Sequence, residues 1–134
     1  MRRFALLFAF LVLCASPAVA DDAATAQSVI RSQAEAFARD DAAAAYSYAA
    51  PEIRRRFLQA DIFLRMVQNS YAPVYRHRSF EFGETRTADG KITQQVHIVD
   101  SDGVPWDALY TLEQQADGSL KIVGCTLIKI GQEV

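Results

Sequence analysis

The hydrophobic pattern changes period once, near Pro73, and that change limits the folds open to this chain. Before it, apolar or small residues recur at helical spacing. Ala26, Ile30, Gln33/Ala34 and Phe37 are four, three and four residues apart. That spacing puts them on one face of a helix from about Ala23 to Arg39. Asp40-Asp41 interrupts it, and Asp41 can accept backbone N–H bonds as the cap of a second helix over Ala42–Ala49. Pro51 suits the first turn of a further helix through Phe57. Phe63, Met66, Val67 and Ser70 mark the inner face of a helix from about Ala60 to Ser70.

Beyond Pro73 the side chains alternate. Phe80 and Phe82 have polar neighbours. Ile92, Gln94, Val96 and Ile98 form one set, and Trp106, Ala108, Tyr110 and Leu112 another. Leu120, Ile122, Gly124, Thr126 and Ile128 form the last. Period two is the signature of strands. Asp89-Gly90, Asp102-Gly103 and Asp117-Gly118 fall between the segments, and both residue types tolerate the positive φ of tight hairpins. The pattern predicts an α+β fold, with N-terminal helices packed on the more apolar face of a four-stranded antiparallel meander.

The first 20 residues predict a cleavable secretory signal. Met1-Arg2-Arg3 is a positive start, Phe4 to Leu13 is an unbroken apolar run, and Ala18-Val19-Ala20 places small residues two apart before the cut. The run is shorter than the about 20 residues that cross a bilayer, so a membrane anchor is the weaker reading. Arg2-Arg3 lacks the surroundings of a twin-arginine signal, and Leu13 is not the small residue expected before a lipoprotein cysteine. Cleavage after Ala20 leaves residues 21–134 as one domain without a stable membrane anchor, in a bacterial periplasm or outside the cell.

Removing the signal takes two of the 14 Lys+Arg residues and none of the 16 Asp+Glu, which leaves a formal charge of −4. An acidic domain of this kind is a poor general binder of nucleic acid. Of the two cysteines, Cys14 leaves with the signal. Cys125 then has no intramolecular partner, so a buried packing role is expected of it.

Four stretches carry a family resemblance: Ile30 to Phe37 with Asp40-Asp41, Ala45 to Pro51 (AYSYAAP), Met66 to Arg76 (MVQNSYAPVYR) and Ile122 to Cys125 (IVGC). In these the chain resembles the bacterial domain of unknown function 4864 family, over nearly all of the mature chain. The order of helices and strands is similar to the nuclear transport factor 2-like (SnoaL-like) fold. That resemblance implies helices filling the concave side of a curved sheet, as a cone. It brings no assigned activity and no catalytic motif, and such a fold serves enzymes, binders and assembly modules alike.

If Phe80, Phe82, Ile92, Ile98 and Ile122 point towards the helices, alternation points Gln94, Trp106, Tyr110 and Thr126 the same way. Gln33 and Tyr48 join them from the helices. These six are the candidate ligand-binding residues, since a mostly apolar cavity with a few polar groups is the usual small-molecule site. The plainer alternative is an ordinary core in which they bond one another. An isomerase- or lyase-type enzyme would need a cavity carboxylate and a tyrosine, with Asp40, Asp41 and Asp100 and with Tyr46, Tyr48 and Tyr110 as candidates. Each aspartate also has a structural use, at a helix junction or a strand end.

His77 and His97 show no zinc-type spacing, and no metal or cofactor is expected. The basic run Arg54-Arg55-Arg56 fans around its helix and reads as solvated charge, and so do Arg76 and Arg78, with Lys91 expected near them across a hairpin. Leu109, Val123, Cys125 and Leu127 are expected on the opposite, convex sheet face, where they would suit a homodimer. The expected function is non-catalytic binding of a small apolar ligand or an envelope partner. A small enzyme and an assembly module are the alternatives.

Overall fold

The computed structural model describes the backbone of residues 17–131 and the side chains of residues 22–131. Residues 1–16, the body of the expected export signal, lie outside the described residues. The element order is α1 Pro17–Ala38, α2 Ala42–Ser47, α3 Pro51–Arg56, α4 Ala60–Ser70, α5 Ala72–Tyr75, β1 His77–Ala88, β2 Lys91–Asp100, β3 Pro105–Gln114 and β4 Leu120–Lys129. This is an α+β fold, with helices first and one antiparallel sheet in the order β1-β2-β3-β4.

Helix α1 begins at Pro17 rather than near Ala23, and buries the stripe its spacing predicts: Ala26, Ile30, Gln33, Ala34 and Phe37. It stops because Asp40 turns into the left-handed region at φ 54°. The Asp40 N–H then bonds the Phe37 carbonyl at 3.0 Å, and the Asp41 N–H bonds the Ala36 carbonyl at 2.9 Å. These paired bonds make a Schellman ending, in which helix carbonyls that would be orphaned are satisfied. Asp41 caps α2 by accepting from the Ala44 N–H at 3.1 Å.

Helix α2 ends at Ser47, two residues short of the expected Ala49, because the backbone beyond it joins the sheet. The Ile122 N–H donates to the Tyr48 carbonyl at 2.9 Å and the Ala50 N–H to the Ile122 carbonyl at 2.8 Å. Ala49 thereby forms a parallel bridge with Ile122 and shields part of the exposed edge of β4. Helix α4 buries Phe63 and Val67, while Ser70 is exposed rather than inward. The Pro73 breakpoint conceals a further short helix, α5, which buries Pro73 and Val74.

Two bulges set which sheet residues face the helices. Between β1 and β2, Phe82 pairs with Val96 and Thr85 with Gln94, so Gly83 and Glu84 together oppose Gln95. Gly83 leaves room there for the ends of two side chains: a Cβ would come within 2.8 Å of His97 Nε2 and 2.9 Å of Gln95 Oε1, so both would have to shift. Gln94 fills the gap from the inner face. It is fully buried, and its Nε2 donates to the carbonyls of Gln95 at 2.7 Å and Gly83 at 3.2 Å. Its Oε1 accepts from Thr85 Oγ1 and from Gln27. Every polar atom of Gln94 is therefore committed to holding the bulge.

The second bulge lies in β4. Thr111 pairs with Gly124 but Leu112 with Ile122, which leaves Val123 as the extra residue. The extra residue reverses the phase of everything after it. Cys125 and Leu127 therefore face the helices, opposite Tyr110 and Ala108, while Thr126 sits opposite Leu109 on the outer face. The core between helices and sheet is built on Phe37, Ile30, Val96, Ile98, Tyr110 and Leu112.

Candidate functional site

A cleft of about 350 Å³ opens between the helical layer and β4. This is at the lower end of the roughly 300–1,000 Å³ typical of small-molecule sites. Its floor is made of buried residues from α1, α5, β3 and β4: Gln33, Phe37, Val74, Tyr110 and Ile122. Phe63 and Val67 of α4 form one wall and Ile53 with Phe57 another. The mouth is lined by Met66, Tyr71, Arg56 and Thr126, of which Arg56 and Thr126 are exposed. The local folding explains the opening. Ile53, Arg56 and Phe57 are three and four apart, which turns them to one side of α3 and its cap. The Tyr46 hydroxyl locks that cap by donating to the carbonyls of Phe57 at 2.6 Å and Arg54 at 3.1 Å.

The polar groups on the floor are neutral. Gln33 Nε2 donates to the Ala45 carbonyl at 3.2 Å, and its Oε1 has no protein partner among the described residues. The Tyr110 hydroxyl finds no nitrogen or oxygen partner among them and lies beside the Cys125 thiol, its cross-strand neighbour. Burial drives the Tyr110 pKa well above its ordinary value. Burial also pushes the Cys125 thiol up to about 12, against the smaller lowering effect of the Tyr110 hydroxyl. Cys125 is half-buried as an edge-strand residue, but its thiol is walled in and stays protonated at neutral pH.

Three of the six candidate ligand residues, Gln33, Tyr110 and Thr126, line the cleft, and three do not. Thr126 reaches only the rim, because the Val123 bulge turns its side chain away and puts Cys125 in the place alternation assigned to it. Gln94 is spent on the β1–β2 bulge. Tyr48 packs on the core and contributes its carbonyl to the bridge with Ile122. Trp106 faces the helices as expected, but lies four residues from Tyr110, roughly 13 Å along the strand. Its Nε1–H donates to Asp100 Oδ2 at 2.9 Å.

The three candidate carboxylates all serve the scaffold. Asp100 accepts from Trp106 and from the N–H groups of Val104 at 2.8 Å and Asp102 at 2.9 Å. Those bonds, the indole's foremost, hold its pKa below the ordinary value. Asp40 is held low by the Tyr75 hydroxyl first and then by Arg76, whose Nη2 lies 3.0 Å away. Asp41 caps α2. Among the described residues none lining the cleft is a carboxylate, and Asp40, Asp41 and Asp100 do not line it.

The charges also settle differently from the sequence expectation. Lys91 pairs with Glu113 at 3.5 Å and starts β2 opposite Ala88, at the far end of the hairpin from Arg76 and Arg78. Arg54 lies over the Tyr46 ring at 4.8 Å. Arg56 is exposed, as expected of solvated charge; it also stands at the cleft mouth and makes no ion pair among the described residues. The spacing from Ile53 was the signal for its position. His97 bonds Asp107 at 2.6 Å on the outer sheet face, while His77 contacts the Pro73 carbonyl at 3.1 Å. Among the described residues no group of three metal-ligating side chains gathers, and no helix is long and apolar enough to cross a membrane.

The set expected to form a convex dimer face is divided. Val123 and Cys125 line the cleft and Leu127 packs against the core, which leaves Leu109 alone of the four on the outer face.

A family model described as a domain of unknown function (DUF4864) matches residues 19–133. Neither curated proteins nor solved structures gave a match to the chain.

Proposed function

Because the chain belongs to the DUF4864 family, whose description assigns no activity, we propose a function from the cleft itself: non-catalytic binding of one small, mainly apolar molecule. One observation carries this reading. Apolar side chains from the helices and the sheet leave a space of about 350 Å³ whose floor carries neutral polar groups and, among the described residues, no carboxylate. Burying an apolar body there contributes about 25 cal/mol per Å². Gln33 Oε1 and the Tyr110 hydroxyl, which also meets the Cys125 thiol, can orient it. An acid–base mechanism lacks its base, so binding is favoured over the isomerase or lyase alternative.

Two further parts belong to the proposal. The helices-then-meander order supports a nuclear transport factor 2-like arrangement, in which such a cleft is the interior of the cone. The charged start, apolar run and Ala18-Val19-Ala20 ending support export, so that binding takes place in the cell envelope.

The test uses N-phenyl-1-naphthylamine, a neutral dye that brightens in apolar surroundings, with protein recovered from the envelope fraction. The expected result is saturable binding of one dye per chain, and an intact mass that begins at Asp21. Met66→Trp, which adds bulk at the half-exposed mouth, should weaken dye binding about ten-fold or more in a chain that keeps the circular dichroism of the wild type. Dye binding that is unsaturable, or indifferent to Met66→Trp, would overturn the binding reading. An uncut N-terminus would overturn the export reading.

A further inference from the structure

We infer that the molecule taken by this cleft is an anionic amphiphile: an apolar body lies on the floor, and one terminal anion, such as a carboxylate, pairs with Arg56 at the mouth. This rests on the cleft being a binding site. The distribution of charge carries it further. Among the described residues Arg56 is the only charged one lining the cleft, and it stands at the exposed end of it. Arg55 and Arg78 also lack ion-pair partners among the described residues but do not line the cleft, and two arginines near helix ends are already engaged. Arg76 bonds the Phe37 carbonyl at 2.8 Å and Asp40 at 3.0 Å, and Arg39 pairs with Asp41 at 3.6 Å. Arg56 has no such partner among the described residues, and its guanidinium fork fits a carboxylate bidentately.

The floor decides the orientation. Gln33, Tyr110 and Cys125 offer only neutral groups there, among Phe37, Val74 and Ile122. An anion driven down to them would lose its hydration without meeting a positive charge. Held at the mouth, the same anion keeps part of its water and gains the guanidinium. The apolar end therefore goes in first, and the charged end faces out beside Arg56.

The experiment is displacement of N-phenyl-1-naphthylamine by a matched pair, decanoate and decanol, near neutral pH. The two share an apolar chain and differ in charge. With the wild-type chain, decanoate should displace the dye at about ten-fold lower concentration than decanol, and added salt should narrow the gap. Arg56→Met, which keeps the apolar stem, should erase the gap between the two compounds, each displacement being referred to the variant's own dye affinity. Arg56→Lys should keep most of it, and Arg55→Met, next along α3 but outside the cleft, all of it. Equal displacement by the two compounds, or a gap that survives Arg56→Met, would overturn the anion assignment and leave the apolar binding reading standing. Failure of the dye to bind the wild-type chain would overturn both.

Discussion

Asp40 occupies a backbone conformation that residues with a Cβ rarely adopt, at φ 54°. Its side chain offsets that cost by accepting from Tyr75 and Arg76, which tie the end of α1 to α5. Removing the carboxylate while keeping the Cβ should therefore be worse than removing both. Asp40→Gly should melt roughly 5 °C above Asp40→Ala, since only glycine escapes the left-handed penalty. Thermal denaturation followed by circular dichroism checks this, and identical melting temperatures would contradict it. The Asp40-Asp41 pair was legible in the sequence as a helix break with a cap, because Asp is a common capping residue. That Tyr75 and Arg76 would anchor it was not, because those contacts span more than 30 positions. Arg56 is a similar case. Its place on α3 followed from spacing, but its value depends on β4 lying across from it.

The two bulges govern what the elements present. Strict alternation correctly assigned Ile92 through Ile98 and Trp106 through Leu112, because β2 and β3 are regular where they pair with each other. It failed after Val123, where one extra residue exchanged Thr126 for Cys125 on the inner face. Nothing in a single sequence marks such an insertion, because the run LKIVGCTLIK carries apolar residues in both phases and reads equally well in either. The β2–β3 connection carries another element-scale consequence. Asp100 closes it with three hydrogen bonds, and its pKa is depressed in the folded chain. A depressed folded pKa means a contribution that is present above the unfolded value, about 4, and lost as pH falls through the folded one. Asp100→Asn should thus lower the urea midpoint at neutral pH, and the difference from wild type should shrink as the pH is taken below about 4. A difference that stays constant down to acid pH would show that the charge of Asp100 does not contribute.

At the scale of the whole molecule, the helical layer covers the inner sheet face unevenly. Helix α1 packs its stripe onto the sheet, whereas α4 packs on α2 and α5, and Ile53, Phe57, Met66 and Val67 face β4 across the cleft. The order of helices and strands, the inner face of α1 and the meander were all written in local periodicity. The cleft was not, because it arises where a short helix, an edge strand and a bulge meet. Titrating N-phenyl-1-naphthylamine into the chain labelled at Ile, Leu and Val methyls is the most direct measurement of the account. Saturable shifts should appear at Ile53, Val67, Val74 and Ile122, which line the cleft, with none at Leu109 or Ile128 on the outer face. Shifts at Leu109 and Ile128 without the cleft methyls, or no saturable shifts at all, would contradict it.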